Sequence, residues 1–325
     1  MGSNRRAWLG SIAALALAFV VHVMLGGALG SDFSSLWHAL ISRDSTWSSV
    51  VWDIRLPRAL ACALVGAILG ITGAAFQLLF RNPLAEPFVV GVSGGAAVAI
   101  TASLSLGLSG LFNELGTMLA AILGGLLTLR LVLALSSVRR GFHSESVLIA
   151  GAVISTLLLS MMTVILLVSG KDSSAVLRWM LGSMSPAYWS RVVLLFMTLG
   201  IGGFVLIRES RKLNALSLGE VTARSLGVDP NRTGRTILAT GAIMSSVAVG
   251  ATGIIGFLGI IAPNIVRRWV GADARRALPL SAVLGSVLLL LSDSVAQRLL
   301  TGQELPVGAI TAILGAPALL WILKR

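Results

Sequence analysis

His22, His38 and His143 are the chain's three imidazoles, Cys62 is its one thiol, and Lys171, Lys212 and Lys324 are its only amines. Nucleophilic or metal-assisted catalysis needs such groups at fixed short spacings, as in HExxH or a Ser-His-Asp constellation, and none is present. The histidines stand far apart, and no two acids face each other within one apolar run. No lysine follows the Gly-x4-Gly spacing that cradles nucleotide phosphates, so the chain is not expected to hydrolyse ATP by itself. Cys62 has no partner for a disulfide, and no Cys-based metal site is expected. The chemistry that remains is electrostatic. Arg55, Arg58 and Arg298 flank apolar runs, where cationic heads suit carboxylates on a soluble partner; they could equally snorkel to phosphates or pair with Asp53 and Asp293. Asp293 is the one acid placed inside a long apolar run where it could bind a proton or cation.

The elements that position these groups are apolar. Hydrophobic residues make up 56% of the 325, charged residues 12%, and the mean hydropathy is +0.92, which describes a chain that lipid must solvate. Runs of about 20 residues, without ten-residue alternation, predict helices and exclude a barrel. The net charge of +12 is scattered between these runs and forms no basic face, so nucleic acid is not expected as a partner.

The organising stretch is Arg55 to Ala96. Between Arg58 and Arg81 lie 22 uncharged residues, enough for a helix across a bilayer core of roughly 30 Å. Gly66, Gly70 and Gly73 recur at spacings of four and three, where another helix backbone can approach closely. Asn82-Pro83 and Glu86-Pro87 then break the helix. The chain resumes through Gly91, Ser93, Gly94 and Gly95, which suit either a plain reverse turn or backbone laid beside a pathway.

Taken in order, Arg5-Arg6 precede a run from Trp8 to Leu29 that resembles a twin-Arg signal; its length and the lack of an Ala-x-Ala site favour a retained anchor. The tryptophans of the following loop, Trp37, Trp47 and Trp52, suit a membrane interface. Beyond the central stretch, apolar runs cover about 89 to 108, 115 to 136, 146 to 169, 189 to 207, 236 to 252, 253 to 270, 278 to 297 and 306 to 323. The expectation is a single all-α polytopic domain, residues 1–325, with ten spans, 236–270 being divided near Gly250 to Gly256. Seventeen cations, among them Arg139, Arg140, Lys324 and Arg325, then fall on the side of the termini and seven, among them Arg43, Lys171, Arg178 and Arg191, on the other, which places both termini in the cytoplasm.

Arg55, Arg58, Gly73 and Phe80 recur 177 residues later as Arg232, Arg235, Gly250 and Phe257. Five spans lie between the copies, so the halves would form an inverted repeat, although apolar helices can resemble each other by chance. The loop from Arg208 to Arg235 carries an irregular apolar face, Leu213, Leu216, Leu218, Val221, Leu226 and Val228, broken at Gly219 and Gly227. It reads as short amphipathic helices that either dock a cytoplasmic partner or lie on lipid.

Four stretches, IRLPRALACALVGAILGITGAAFQLLFRNPLAEPFVVGVSGGA, LGEVTARSLGV, GIIGFLGIIAPNIVR and ELPVGAITAILGAPALLWIL, resemble the successive signatures of FecCD-type permeases of binding-protein-dependent ATP-driven importers for iron-siderophores, haem and vitamin B12. The resemblance spans about residues 50 to 325. It implies a ten-helix subunit of the bacterial or archaeal inner membrane. That subunit would pair with a second copy, two cytoplasmic ATPase subunits that use the ATP, and a periplasmic or lipid-anchored binding protein, with no cofactor bound by this chain. By motif, Leu216, Leu218, Gly219, Glu220, Ala223, Arg224 and Gly227 would couple to the ATPases, and Arg55, Arg58 and Arg298 would receive acids of the binding protein. Asn82, Leu84, Ser144 and Glu145 would lie near the cytoplasmic gate; HSESVLIAG departs from the small hydroxyl residues expected there, and Asn264 stands where the family commonly has His. The fifth and tenth spans, with Gly151, Ser155, Ser160, Gly308, Thr311 and Gly315, would line a path for a bulky metal chelate, an iron chelate foremost, though helix packing accounts for the same small residues. The rival expectation is a secondary transporter driven through Asp293.

Overall fold

The computed structural model describes residues 2–25, 46–106, 114–136, 144–168, 180–185, 187–300 and 303–323. Sequence expectations on Trp37, His38, Arg43, Arg139, Arg140, His143, Lys171, Arg178, Lys324 and Arg325 lie outside them.

The described residues form an all-helical bundle: α1 (Gly2–Leu25), α2 (Leu56–Phe80), α3 (Val92–Ser105), α4 (Glu114–Leu135), α5 (Ser144–Val168), α6 (Trp189–Arg208), α7 (Ser210–Ser217), α8 (Glu220–Ser225), α9 (Pro230–Thr252), α10 (Leu258–Val270), α11 (Ala274–Arg298) and α12 (Val307–Leu323). Seven of these stretches are long and apolar enough to cross a membrane, and Val92–Ser105 and Val307–Leu320 are shorter apolar helices. A short turn, Thr46–Ser49, and a π-helix, Val50–Arg55, lead into α2. At that junction the Leu56 N–H reaches Val51 O, five residues back, and Pro57 has no N–H to continue a tighter ladder.

Helix α2 is the axis of the bundle. Of its most apolar window 83% is buried, against 22% for α1 and α5, so the other helices wrap around it. The glycine spacing explains how. Gly66 and Gly70 lie directly on the backbone of α11 at Gly285 and Ser281, and Gly73 lies on Gly259 of α10. Any Cβ there would enter the neighbouring main chain, so the close approach read from the sequence involves two helices. Ser286 Oγ adds a donor across this seam, 2.6 Å from Ala63 O.

The run 236–270 is divided where expected. Helix α9 ends at Thr252, Gly253 takes φ 75°, and α10 starts after Phe257, which is held at φ 69°. Gly253 tolerates that conformation, whereas Phe257 adopts it at a steric cost that its surroundings must offset.

Candidate functional site

Four sets of residues stand out: one at each end of α2, the small residues on the two helix breaks, and the loop after α6.

At the N-terminal end of α2 the arginines converge, but not as free cations. Arg58 Nε and Nη2 donate to Asp293 Oδ2 and Oδ1 at 2.8 and 3.0 Å, and its Nη1 donates to both oxygens of Glu304 at 2.9 and 3.0 Å. His22 Nε2 lies 2.8 Å and Gln297 Nε2 2.7 Å from the same Asp293 Oδ2. Arg55 donates to Val23 O at 3.2 Å and Arg298 to Leu25 O at 3.0 Å, so both cations meet orphan carbonyls at the C-terminus of α1. Of the alternatives open for these cations, Arg58 takes the pairing with Asp293; Arg55 and Arg58 are buried, and of the three arginines only Arg298 is exposed. A guanidinium facing hydrocarbon needs a counterion, and Asp293 of α11 supplies it.

Cys62 Sγ lies 3.8 Å from His22 Nε2, so His22, Cys62 and Asp293 bring three kinds of metal-ligating atom within 4.8 Å of one another. This juxtaposition of the lone thiol was not foreseen. Asp293 Oδ2 already meets three donors, from Arg58, His22 and Gln297, and Oδ1 meets a fourth. The donor set is that of an ion-pair network, and the same saturation leaves Asp293 poorly suited to carry a coupling ion.

At the other end of α2 the turn Arg81–Gly91 is built by its own backbone and by α10. Arg81 closes α2 in the left-handed region (φ 51°), Asn82 N–H returns to Gln77 O at 3.1 Å, and Asn82 Oδ1 accepts the Leu84 N–H at 2.9 Å. Asn264 Nδ2 donates to Pro83 O at 2.9 Å, which gives the amide at the family's histidine position a definite role. Arg267 Nη2 donates to Gln77 Oε1 and Asn264 Oδ1 at 2.6 and 2.7 Å, and Gln77 Nε2 donates to Gly259 O at 3.1 Å. Gln77, Glu86 and Arg267 were missed from the sequence, although a glutamine inside an apolar span is itself a signal of a buried polar partner.

Of the small residues expected either to line a path or to serve helix packing, most lie on the two breaks. On α5, Gly151 lies against Val89 O and Val90, and Ser155 Oγ donates to Gly151 O at 2.8 Å and Phe88 O at 3.3 Å. On α12, Gly308 lies against Leu181 O and Ile254 O, and Gly315 against the Phe257 side chain. Thr311 is buried and donates to Gly308 O at 3.0 Å. Ser160, donating to Thr156 O at 3.0 Å, is in neither contact. Ser144 and Glu145 open α5, the latter exposed in its first turn.

The loop after α6 folds as two short helices, α7 and α8, joined through Gly219 at φ 113° and ended by Gly227 at φ 75°. The expected coupling set divides in two. Leu216 (4% exposed) and Ala223 (0%) pack inward, whereas Leu218 (68%), Val221 (84%) and Leu226 (61%) face outward beside the exposed Arg224, with Glu220 half-buried. Leu216 is therefore an anchor, and the free apolar face belongs to Leu218, Val221 and Leu226. Asn214 ties this unit to α11: its Nδ2 donates to Asp273 Oδ1 at 2.7 Å and its Oδ1 accepts the Ala274 N–H at 2.7 Å.

Apolar helices around a glycine-seamed axis, two helix breaks braced by small residues, and an apolar bulge at one end define a polytopic membrane transport subunit. The profile of the FecCD transport family matches residues 14–325. The chain is 37% identical over 306 residues to the uncharacterized ABC transporter permease protein YvrB of Bacillus subtilis, covering 94% of this chain and 84% of that one. It is 38% identical over 275 residues to the cobalamin import system permease protein BtuC of Halobacterium salinarum (85% and 73% covered). With the vitamin B12 import system permease protein BtuC of Shigella boydii the identity is 36% over 313 residues (96% and 94%). Among solved structures, a transporter assigned to the metal-chelate ABC type, in an inward-facing conformation, superposes with a TM-score of 0.83 at 29% identity, covering 95% of this chain and 97% of that one. The chain belongs to the FecCD transport family. As a permease subunit of that family it is not itself the ATPase.

Proposed function

We propose that this chain is the membrane-spanning subunit of an ATP-driven importer of a metal chelate. It would take cargo from a soluble binding protein and draw on ATPase subunits that bind the nucleotide. The observation that carries this reading is the exposed Leu218, Val221 and Leu226 face on a rigidly anchored helical bulge: a docking surface at the end of α2 opposite the Arg58 cluster, on a chain with no phosphate-binding loop. Relatives of near-equal length that import cobalamin, a corrinoid chelate, make a bulky metal chelate the cargo class. An iron-siderophore or haem belongs to the same class.

The ten-span reading is supported by the seven long apolar helices, the two shorter ones and α10. The inverted repeat is supported by matched neighbours. Helix α2 packs on α10 and α11 and is followed by a break and the short α3; α9 packs on α3 and α4 and is followed by a break and the short α10. Both copies of the repeat place a left-handed non-glycine residue at the break, Arg81 and Phe257. The cation count favours cytoplasmic termini, which puts the bulge in the cytoplasm and the Arg58 cluster outside. Exposed apolar rows on α5 (Val153, Leu157, Val164) and α12 (Ile313, Leu314) suit a second copy as well as lipid. Arg298, with Glu304 beside Arg58, remains the accessible charge for a binding protein.

Reconstitution with the cognate ATPase and binding protein tests the reading. Uptake of a corrinoid or ferric chelate should require ATP and all partners. Uptake by the isolated chain driven by an ion gradient would replace it with the secondary-transporter reading.

A further inference from the structure

Glu86 lies in the turn between α2 and α3 and is 8% exposed. Its side chain does not face the other acids or any arginine of the described residues. Its Oε2 and Cβ lie against Gly259 in the first turn of α10, the helix that Phe257 opens. A cavity of about 10 Å3, room for one water, adjoins it. Its wall is made by Leu69 of α2, Ser93 of α3, Val249 and Thr252 of α9, the break residues Gly253 to Ile255, and Gly259. No titratable or charged side chain other than Glu86 lines it. Arg267, in the adjoining network, is engaged by Gln77 and Asn264.

The carboxyl thus joins the two helix breaks: it belongs to the first and packs on the start of the helix that follows the second. Two influences oppose each other there. The start of α10 favours negative charge, and the dry apolar wall disfavours it. Around the same contact the backbone is strained at Phe257, which α12 clamps through Gly315.

We propose that Glu86 is a protonation-controlled latch between the two helix breaks. With its proton on, the turn and the start of α10 stay packed together. With the proton off, a carboxylate against the apolar wall draws water into the cavity and loosens the contact. A shift of the turn Arg81–Gly91 against the start of α10 crosses this contact, so the balance of conformers follows pH. Burial pushes the Glu86 carboxyl up to about 7, against an ordinary 4.5. The raised value means the folded chain holds a proton that the unfolded chain releases. The contribution is complete below about 4.5, declines as pH rises toward 7, and is absent above it.

The full-length chain in detergent provides the test. The melting temperature of wild type should fall by about 5 °C relative to Glu86→Gln between pH 5.5 and 8. Infrared difference spectra of wild type should show a buried protonated carboxyl at pH 5.5 that disappears by pH 8, a reading that needs no variant to fold. In the assembled complex, Glu86→Gln should remove from the pH profile of uptake the component centred near 7. A constant difference in melting temperature across this range, or no protonated carboxyl at pH 5.5, overturns the latch. Neither outcome bears on whether the chain is an ATP-driven permease.

Discussion

Arg58 and Asp293, separated by 235 residues of chain, form a two-point ion pair buried between α2 and α11, with Nε–Oδ2 at 2.8 Å and Nη2–Oδ1 at 3.0 Å. The same carboxylate gathers His22 of α1, so one acid joins three helices. A pair with this geometry is indispensable to neither stability nor specificity by itself, because desolvation offsets most of its attraction. Breaking it is another matter. Asp293→Asn should destabilise the detergent-solubilised chain by about 3 to 5 kcal/mol, since a buried guanidinium is left with Glu304 alone. Arg58→Met with Asp293→Leu should cost much less than the two single changes together. Additive losses in thermal melting would refute the coupling.

Leu218→Asp or Val221→Asp should weaken association with the ATPase subunit roughly tenfold or more, the worth of one buried apolar side chain, and leave the melting temperature of the chain unchanged. Leu216→Asp should instead reduce the yield of folded protein, because its side chain lies in the core. Copurification with the ATPase and melting curves separate the two effects. Full assembly of both surface variants would move the coupling surface elsewhere.

Gly70→Leu should prevent the close packing of α2 on α11 and cost upward of about 1 to 3 kcal/mol, because the neighbour is backbone and cannot yield. Gly200→Ala, with open space around it, is the control and should melt like wild type. Equal behaviour of the two variants would show that the glycine seam is not a constraint.

Asn264→Leu removes the donor to Pro83 O and the acceptor from Arg267, and should cost about 1 to 3 kcal/mol for the polar groups left buried. Uptake by the assembled complex should fall with it, since the turn Arg81–Gly91 loses its tie to α10. Wild-type uptake in this variant would reduce the tie to a local packing detail.

The Asn214 amide, with help from Arg275, holds the Asp273 carboxyl below the ordinary carboxylate value of 3.8. A lowered value means that its contribution is present above about 3.8 and is lost as pH falls through the folded-state value. Asp273→Ala should cost about 1 kcal/mol at pH 7, the worth of a helix N-cap, and the difference from wild type should shrink as the medium is acidified below 3.8. A gap that stays constant down to that range would show that the charge of Asp273 is immaterial.

Much of this architecture was legible along the chain because it follows from local rules. An uncharged run between arginines must be helical in lipid, prolines at 83 and 87 end it, and glycines at 66, 70 and 73 mark where backbones meet. The bulge was legible too, through Gly219 and Gly227. The choice among the roles open to the arginines was not legible for one reason: exposure is a property of neighbours. Arg58 and Asp293 each carried half of the signal, a charge at the edge of an apolar run, and nothing in the spacing joined them. Glu86 passed unnoticed because a glutamate between two prolines looks like any solvated turn.

Hydropathy, proline placement, the length of the apolar runs and the lack of a phosphate loop are properties of short windows, and they suffice to make the chain membrane-embedded, all-helical, broken near 83 and near 253, and unequipped to hydrolyse nucleotide. Packing is what makes Leu216 core and Leu218 surface, sets Arg58 against Asp293, and brings the two breaks together at Glu86. Those facts depend on distances between segments up to 235 residues apart, and such distances arise only when helix packing brings the segments together.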